Sequence, residues 1–263
     1  MDLILLGPVQ LAVATGLVVA AGAVSILLRL GLGRKLAVAA ARTAVQLGLI
    51  GIILERVFAL ESPGLVMVLV LVMTLFAARE AAARGSRRYR GILVDAWLAV
   101  AASCLVVGGV VTQVVVGVDP WYEPRYVIPL LGMILGNSLT GISLCMDRFL
   151  EHVVARRGEI ELRLAFGATR SEVVHEPLRS AVRTGMIPVI NTMAAAGLVS
   201  LPGMMTGQIL AGAPPLQAVA YQIVVMFMIA AAVAGGSMIV GVVMARRLVA
   251  PDGRLHRSMV HET

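Results

Sequence analysis

The chain alternates between long apolar runs and short polar connections. Runs able to cross a hydrocarbon core, which takes roughly 20 residues within a range of about 17–25, lie at about 6–28, 36–54, 63–78, 92–116, 127–147, 184–201 and 216–245. The expected fold is an all-α membrane protein of about seven transmembrane helices in a single domain over residues 1–263. The sixth run contains Pro188 and Asn191, which interrupt its apolar character.

The connections carry the orientation. Arg29, Arg34 and Lys35 follow the first run, Arg79, Arg84, Arg87, Arg88 and Arg90 the third, and a cluster of arginines within 148–183 the fifth. The tail adds Arg246, Arg247, Arg254 and Arg257, whereas the alternate connections hold only Arg56 and Arg125. Cytoplasmic loops carry the excess of Lys and Arg, so the N-terminus is expected outside and the C-terminus in the cytoplasm. Trp121, Tyr122 and Tyr126 fall in one outer connection, where such rings either mark the interface or pack the loop. Met1-Asp2-Leu3 lacks the positive start of a signal peptide, so the first run is expected to remain as a span.

Composition agrees with lipid as the main solvent: 59% of residues are hydrophobic and 14% charged, with a mean hydropathy of +0.92. Small aliphatic residues dominate and aromatics make up 4%, which suits close helix packing rather than a barrel. The net charge of +7 does not indicate nucleic acid, because the arginines sit between apolar runs. Cys104 and Cys145 lie inside apolar runs and form neither a CxxC nor a disulfide framework.

Catalytic motifs are missing from the sequence. There is no HExxH or GxSxG, and the single lysine, Lys35, is not in a phosphate-binding loop. ATP hydrolysis, if used, belongs to another chain. Asp95 and Asp147 fall near the ends of runs, and His152, His175, His256 and His261 all fall in cytoplasmic segments, which leaves few hard ligands for a metal within the spans.

Four features carry candidate function. Arg42 and Gln46 lie one turn apart in the second run; Arg42 is either a pathway residue or a side chain snorkelling to the nearby boundary. In the fifth run Gly132, Gly136, Ser138, Thr140, Gly141 and Ser143 surround Asn137. Gly132 and Gly136 are spaced for close helix contact, and Asn137 either lines a pathway or bonds across that contact. The third feature is the stretch 190–215, with Asn191, Thr192, Met193, Met204, Met205, Thr206 and Gln208 among glycines and prolines. Pro202-Gly203 and Pro214-Pro215 bracket a piece too short to span, suited to an external turn or a re-entrant element. Met204 and Met205 are either soft metal ligands or packing residues.

The fourth feature is an elbow in 148–183. Gly167 is placed to end one helix in the left-handed conformation, and Thr169 with Glu172 forms a capping-box pattern that starts another. Pro177 is expected to interrupt that second helix after about two turns, leaving a short cytoplasmic helix between spans five and six. From Glu161, the run ELRLAFGATRSE resembles the coupling loop of ABC permeases, where a Glu six residues before a Gly precedes a short helix that docks on the ATPase. Leu162 and Arg163 stand where that loop has two alanines. The resemblance gives Glu161, Gly167, Thr169 and Glu172 a coupling role.

A broader likeness covers most of the chain. RTAVQL from Arg42, GNSLTGISLCMDRF from Gly136, RTGMIPVINTM from Arg183, LVSLPGMMTGQILAG from Leu198 and YQIVVMFMIAA from Tyr221 resemble the FetB-like family of ABC-type iron-export permeases. The resemblance implies an inner-membrane (plasma-membrane), multi-pass permease that is not itself an enzyme. It implies a homodimer driven by a separate FetA-like ATP-binding subunit, which holds the ATP and Mg. Plant relatives are associated with aluminium tolerance and nucleotide-sugar export, so a nucleotide sugar or other small molecule stands as alternative cargo. A membrane scaffold that recruits a soluble partner is the reading from another class. Arg42, Gln46, Asn137, Asn191, Met193, Met204, Met205 and Gln208 are the pathway candidates.

Overall fold

The computed structural model describes residues 7–85, 87–249 and the backbone of 260–262. Arg254, His256 and Arg257 lie outside the described residues, as does residue 6 at the start of the first expected span. The described helices are α1 (Pro8–Leu27), α2 (Gly33–Leu60), α3 (Pro63–Arg84), α4 (Ile92–Val110, extended by a π-turn over Val111–Val116), α5 (Pro124–Ala155), α6 (Arg157–Ala165), α7 (Arg170–Ala195), α8 (Gly203–Leu210) and α9 (Pro215–Leu248). Two three-residue strands, β1 (Arg87–Tyr89) and β2 (Val260–Glu262), pair antiparallel.

Among the described residues six helices are long and apolar enough to cross a membrane: α1, α2, α3, α4 with its π-turn, α5 and α9. Four of them begin with proline at or next to their first position, Pro8, Pro63, Pro124 and Pro215, where the missing N–H would be unsatisfied anyway and the fixed φ suits the helix. Many of their apolar side chains face outward, as lipid allows; Leu17 of α1 is 73% exposed and Ile52 of α2 63%.

The expected sixth span over 184–201 is corrected in one respect, that it is not a single continuous helix. Helix α7 ends at Ala195, and an irregular segment leads to α8 at Gly203. The expected break at Pro177 is corrected too, since α7 runs through both Pro177 and Pro188. An internal proline costs a helix about 3 kcal/mol, but the Pro177 ring is buried and α7 packs along α5 and α9, so tertiary contact outweighs the lost hydrogen bond. The short helix of the elbow is therefore α6, before Gly167, rather than Thr169 to Glu176.

The chain forms two compact units, one up to residue 62 with 210–212 and the other comprising 63–209 and 213 onward. In the first, α1 and α2 form a hairpin whose turn is tied by the Leu32 N–H donating to Ser25 Oγ at 3.0 Å. In the second, α3, α4, α5, α7 and α9 pack as a bundle around Phe149, Ile134, Ile142, Leu150, Met244 and Leu248, all below 2% exposure.

Side-chain contacts fix the directions. Helix α4 is antiparallel to α9, with Asp95 at Arg247 and Ser103 at Gly236. Helix α7 is antiparallel to α5, with Ser180 at Arg148 and Gly185 at Gly141. Helices α5 and α9 run parallel: Tyr126 and Leu130 share a cavity with Gln217 and Tyr221, and further along Ile142 lies against Gly236.

Candidate functional site: elbow, helix crossing and end cavities

The elbow between α6 and α7 is built by two local caps. The Gly167 N–H donates to the Leu164 carbonyl and the Ala168 N–H to the Arg163 carbonyl, both at 3.0 Å, the pair of bonds that closes a helix around a left-handed residue. Gly167 holds φ at +88°, which a side chain would strain. On the far side the Thr169 N–H donates to Glu172 Oε2 at 2.7 Å and the Glu172 N–H to Thr169 Oγ1 at 3.4 Å. The Thr169 hydroxyl also donates to Glu172 Oε2, at 2.8 Å, and the two bonds that reach the carboxylate, from the backbone N–H first and the hydroxyl second, hold it below its ordinary range. Glu161 accepts from Arg157 Nε at 3.0 Å. The tip is apolar, with Leu162 58% and Phe166 84% exposed. Sequence reading missed that pair, whose signal was a large apolar residue on each of two successive turns of a charged helix.

Above the elbow, α5, α7 and α9 cross on small residues. A Cβ on Gly185 would lie 2.6 Å from the Gly141 carbonyl oxygen and 2.9 Å from Ser237 Oγ, and one on Gly236 3.0 Å from Ser103 Oγ. Cys145 donates through Sγ to the Ser237 carbonyl at 3.4 Å. The expected close contact at Gly132 and Gly136 is corrected: a Cβ on Gly136 would meet nothing within 4 Å, and one on Gly132 only Met73 Cε at 3.5 Å. The approach lies instead at Gly141, one turn further along.

Asn137 is exposed and donates to the Met133 carbonyl of its own helix at 2.9 Å. One turn on, Thr140 Oγ1 accepts from Arg84 Nη1 at 3.2 Å. Asn191 is exposed on α7. Arg42 and Gln46 are exposed on α2 in the other unit.

At the end of the bundle remote from the elbow, α8 is flanked by two cavities. One of about 550 Å³ is lined by residues including Arg125, Tyr126, Met133, Met204, Gln208 and Tyr221. The other, of about 440 Å³, includes Met193, Met205, Gln222, Met226 and Phe227. The methionine candidates therefore divide: Met204 faces the first cavity with Gln208, and Met193 and Met205 share the second. Gln208 Oε1 and Gln222 Oε1 are buried without a hydrogen-bond partner among the described residues, and such groups cost about 1–3 kcal/mol unless a ligand or water satisfies them. Among the described residues no three of His, Cys, Asp or Glu converge on a point, so the polar donors of these cavities are amides, thioethers, tyrosines and one arginine.

At the elbow end, Asp95 is fully buried and accepts from Arg247 at 2.7 and 2.6 Å and from the Tyr89 hydroxyl at 2.8 Å. Burial first, and then this bond, push the Tyr89 hydroxyl up from its ordinary value. Gly91, at φ +100°, leaves the space that the Arg247 guanidinium fills.

Comparison with known proteins adds what geometry alone does not. Residues 8–249 match the Uncharacterised protein family (UPF0014). A UPF0014 membrane protein of Synechocystis is 40% identical over 200 residues, 76% of this chain and 77% of its own length. The Escherichia coli protein named probable iron export permease protein FetB is 32% identical over 222 residues, 84% of this chain and 83% of its own. The Arabidopsis thaliana protein named ALUMINUM SENSITIVE 3 is 32% identical over 229 residues, 86% of this chain and 81% of its own. No solved structure matches. The chain belongs to the UPF0014 family of membrane proteins, and the FetB protein is among its relatives.

Proposed function

We propose that this UPF0014 protein is the membrane-spanning permease subunit of an ABC-type exporter, working as a homodimer in the inner (plasma) membrane with a separate ATPase that binds ATP and Mg. The observation that carries the reading is the elbow, a helix pair capped on both sides of Gly167 and tipped with exposed Leu162 and Phe166. An apolar tip on a charged, rigid segment suits docking in a groove of a soluble partner.

The parallel course of α5 and α9 supports seven crossings. Two parallel spans require the chain to return between them, and α7 with α8 makes that return. From Thr184 to Ala195 is about 12 residues, or ~18 Å, short of a ~30 Å core. The irregular segment and α8 complete the crossing where they line cavities, the setting in which broken helices are tolerated within membranes. The arginine bias supports a cytoplasmic elbow and C-terminus and an outer N-terminus.

Helix α7 is then the lever. It runs without interruption from Arg170, at the elbow, to Ala195, beside the Met193 cavity, and it pivots on the Gly185–Gly141 contact. Closure of the ATPase pair at the elbow displaces the far end of α7 and opens the cavities, so one element is biased from both ends. The cargo is iron or another metal, as the name of the FetB relative suggests, met by amide and thioether groups, a donor set suited to a metal carried as a complex or in a soft state.

The test is reconstitution with a FetA-like ATPase subunit in lipid, titrated with iron, other metals and nucleotide sugars. The reading expects co-purification, metal-stimulated ATP hydrolysis, and loss of both on Phe166→Asp with the permease still folded. Stimulation by a nucleotide sugar alone would reassign the cargo, association without flux would favour the scaffold reading, and an unaffected Phe166→Asp would overturn the role of the elbow.

A further inference from the structure

A third cavity lies at the elbow end of the bundle, between α7 and α9. Its volume is about 460 Å³, and its lining changes character along its length: Thr169, Arg170, Ser171 and Arg246 at one end, and Val174, Leu178, Val242 and Ala245 at the other. Two cations from different helices thus face a pocket whose floor is aliphatic. Arg170 Nε is buried without a hydrogen-bond partner among the described residues, so a donor is held ready for an acceptor that the protein does not supply. The nearest carboxylate in sequence, Glu172, is absent from the lining and is committed to the cap on Thr169.

The apolar end does not stop at the cavity. Arg246, Val242 and Met238 follow at four-residue spacing on α9, which puts them in one row. Val242 is 38% and Met238 57% exposed, and the row spans ~12 Å at 1.5 Å per residue. A cationic and hydroxyl-bearing head region thus opens onto an apolar track that runs along a membrane-spanning helix toward the bilayer interior.

We infer that this cavity is a binding site for an anionic phospholipid of the leaflet on the elbow side, its phosphate held by Arg170 and Arg246 and one acyl chain lying along Val242 and Met238. The chemistry matches part by part: guanidinium groups pair with phosphate through charge-assisted hydrogen bonds, basic pockets between membrane helices recognise anionic headgroups, and a soluble anion would have no use for the aliphatic floor. Because the pocket includes Thr169, the N-cap of α7, a bound lipid braces the helix start next to Gly167. The inference rests on the chain spanning a membrane and is independent of the ATPase reading.

The experiment uses the full chain purified in a delipidating neutral detergent, with thermal unfolding followed by a thiol-reactive dye that reports exposure of the buried Cys104 and Cys145. Short-chain phosphatidylglycerol, short-chain phosphatidylcholine and inorganic phosphate are titrated in turn. At a hundred-fold excess over its Kd, phosphatidylglycerol should raise the unfolding temperature by about 5–10 °C, while the other two leave it unchanged. Arg246→Glu, at an exposed position, and Arg170→Gln should each abolish the shift. Should Arg170→Gln fail to fold, Arg246→Glu alone decides. An equal shift with phosphatidylcholine would mean a non-selective acyl site, an equal shift with inorganic phosphate a free-anion site, and a full phosphatidylglycerol shift in Arg246→Glu a site elsewhere; each of these overturns the proposal.

Discussion

Replacing Gly185 by alanine tests the helix crossing with the smallest change available. The added methyl would sit 2.6 Å from the Gly141 carbonyl oxygen, 2.9 Å from Ser237 Oγ and 3.2 Å from Cys145 Cβ. Ordinary van der Waals contact begins near 3.5 Å, so α7 would have to move from α5 by roughly 1 Å. Two of the opposing atoms belong to backbone or a buried hydroxyl, and a packed bundle cannot absorb such a shift in one side chain. Overpacking of this kind costs about 1–3 kcal/mol, which for a chain of this size lowers the unfolding temperature by about 2–4 °C per kcal/mol. Gly136→Ala is the matched control, since its methyl would meet nothing within 4 Å. The assay is thermal unfolding in detergent by thiol-dye labelling, and Cys145, which lies in the same crossing, reports the perturbed site directly. Equal stability of Gly185→Ala and wild type, or an equal loss in Gly136→Ala, would refute the argument that α5 and α7 meet at Gly141 and Gly185.

Three further outcomes follow from the same geometry. Asp95 is wholly buried whereas the Arg247 side chain is 38% exposed, so Arg247→Met, which strands a buried carboxylate, should cost about 3–5 kcal/mol and clearly more than Asp95→Asn in the same unfolding assay; the reverse order would contradict the burial argument. Hydrogen bonds hold Glu172 below its ordinary value of 4.5, so its stabilisation of the α7 start is complete above that pH and fades as pH falls further through the lowered value. The stability gap between wild type and Glu172→Gln should stay constant from pH 5 to 8 and shrink below. Pro214, exposed between α8 and α9, and Phe166, 84% exposed at the elbow, lie on opposite sides of the membrane if α7 and α8 complete a crossing. A membrane-impermeant maleimide added outside intact cells should label Pro214→Cys and spare Phe166→Cys, and labelling of both or of Phe166→Cys alone would exclude seven spans.

What could be read from the sequence was what short stretches decide. Apolar runs located the six long helices because a hydrocarbon solvent demands continuous apolar length. The caps at Gly167, Thr169 and Glu172 were legible because capping uses residues within one turn of each other. The breaks at Pro202-Gly203 and Pro214-Pro215 bracketed α8 for the same reason. Contacts between distant segments were not legible. Asp95 and Arg247 are 152 positions apart, and only the antiparallel packing of α4 on α9 turns an aspartate near a span end into a buried ion pair. Pro177 was read by its local cost, yet within the bundle α7 continues through it. Gly132 and Gly136 had the spacing for a helix contact, but which glycine of α5 meets a partner depends on how the helix is rotated against α7, and that rotation is set by the packing of all its neighbours at once. The sequence by itself thus determined the solvent, the six long apolar helices and the local caps, through length and short-range chemistry. The tertiary structure alone decided the crossing at Gly141 and Gly185, the pairing of Asp95 and the division of the methionines between two cavities, because each depends on surfaces that come together only when the helices pack.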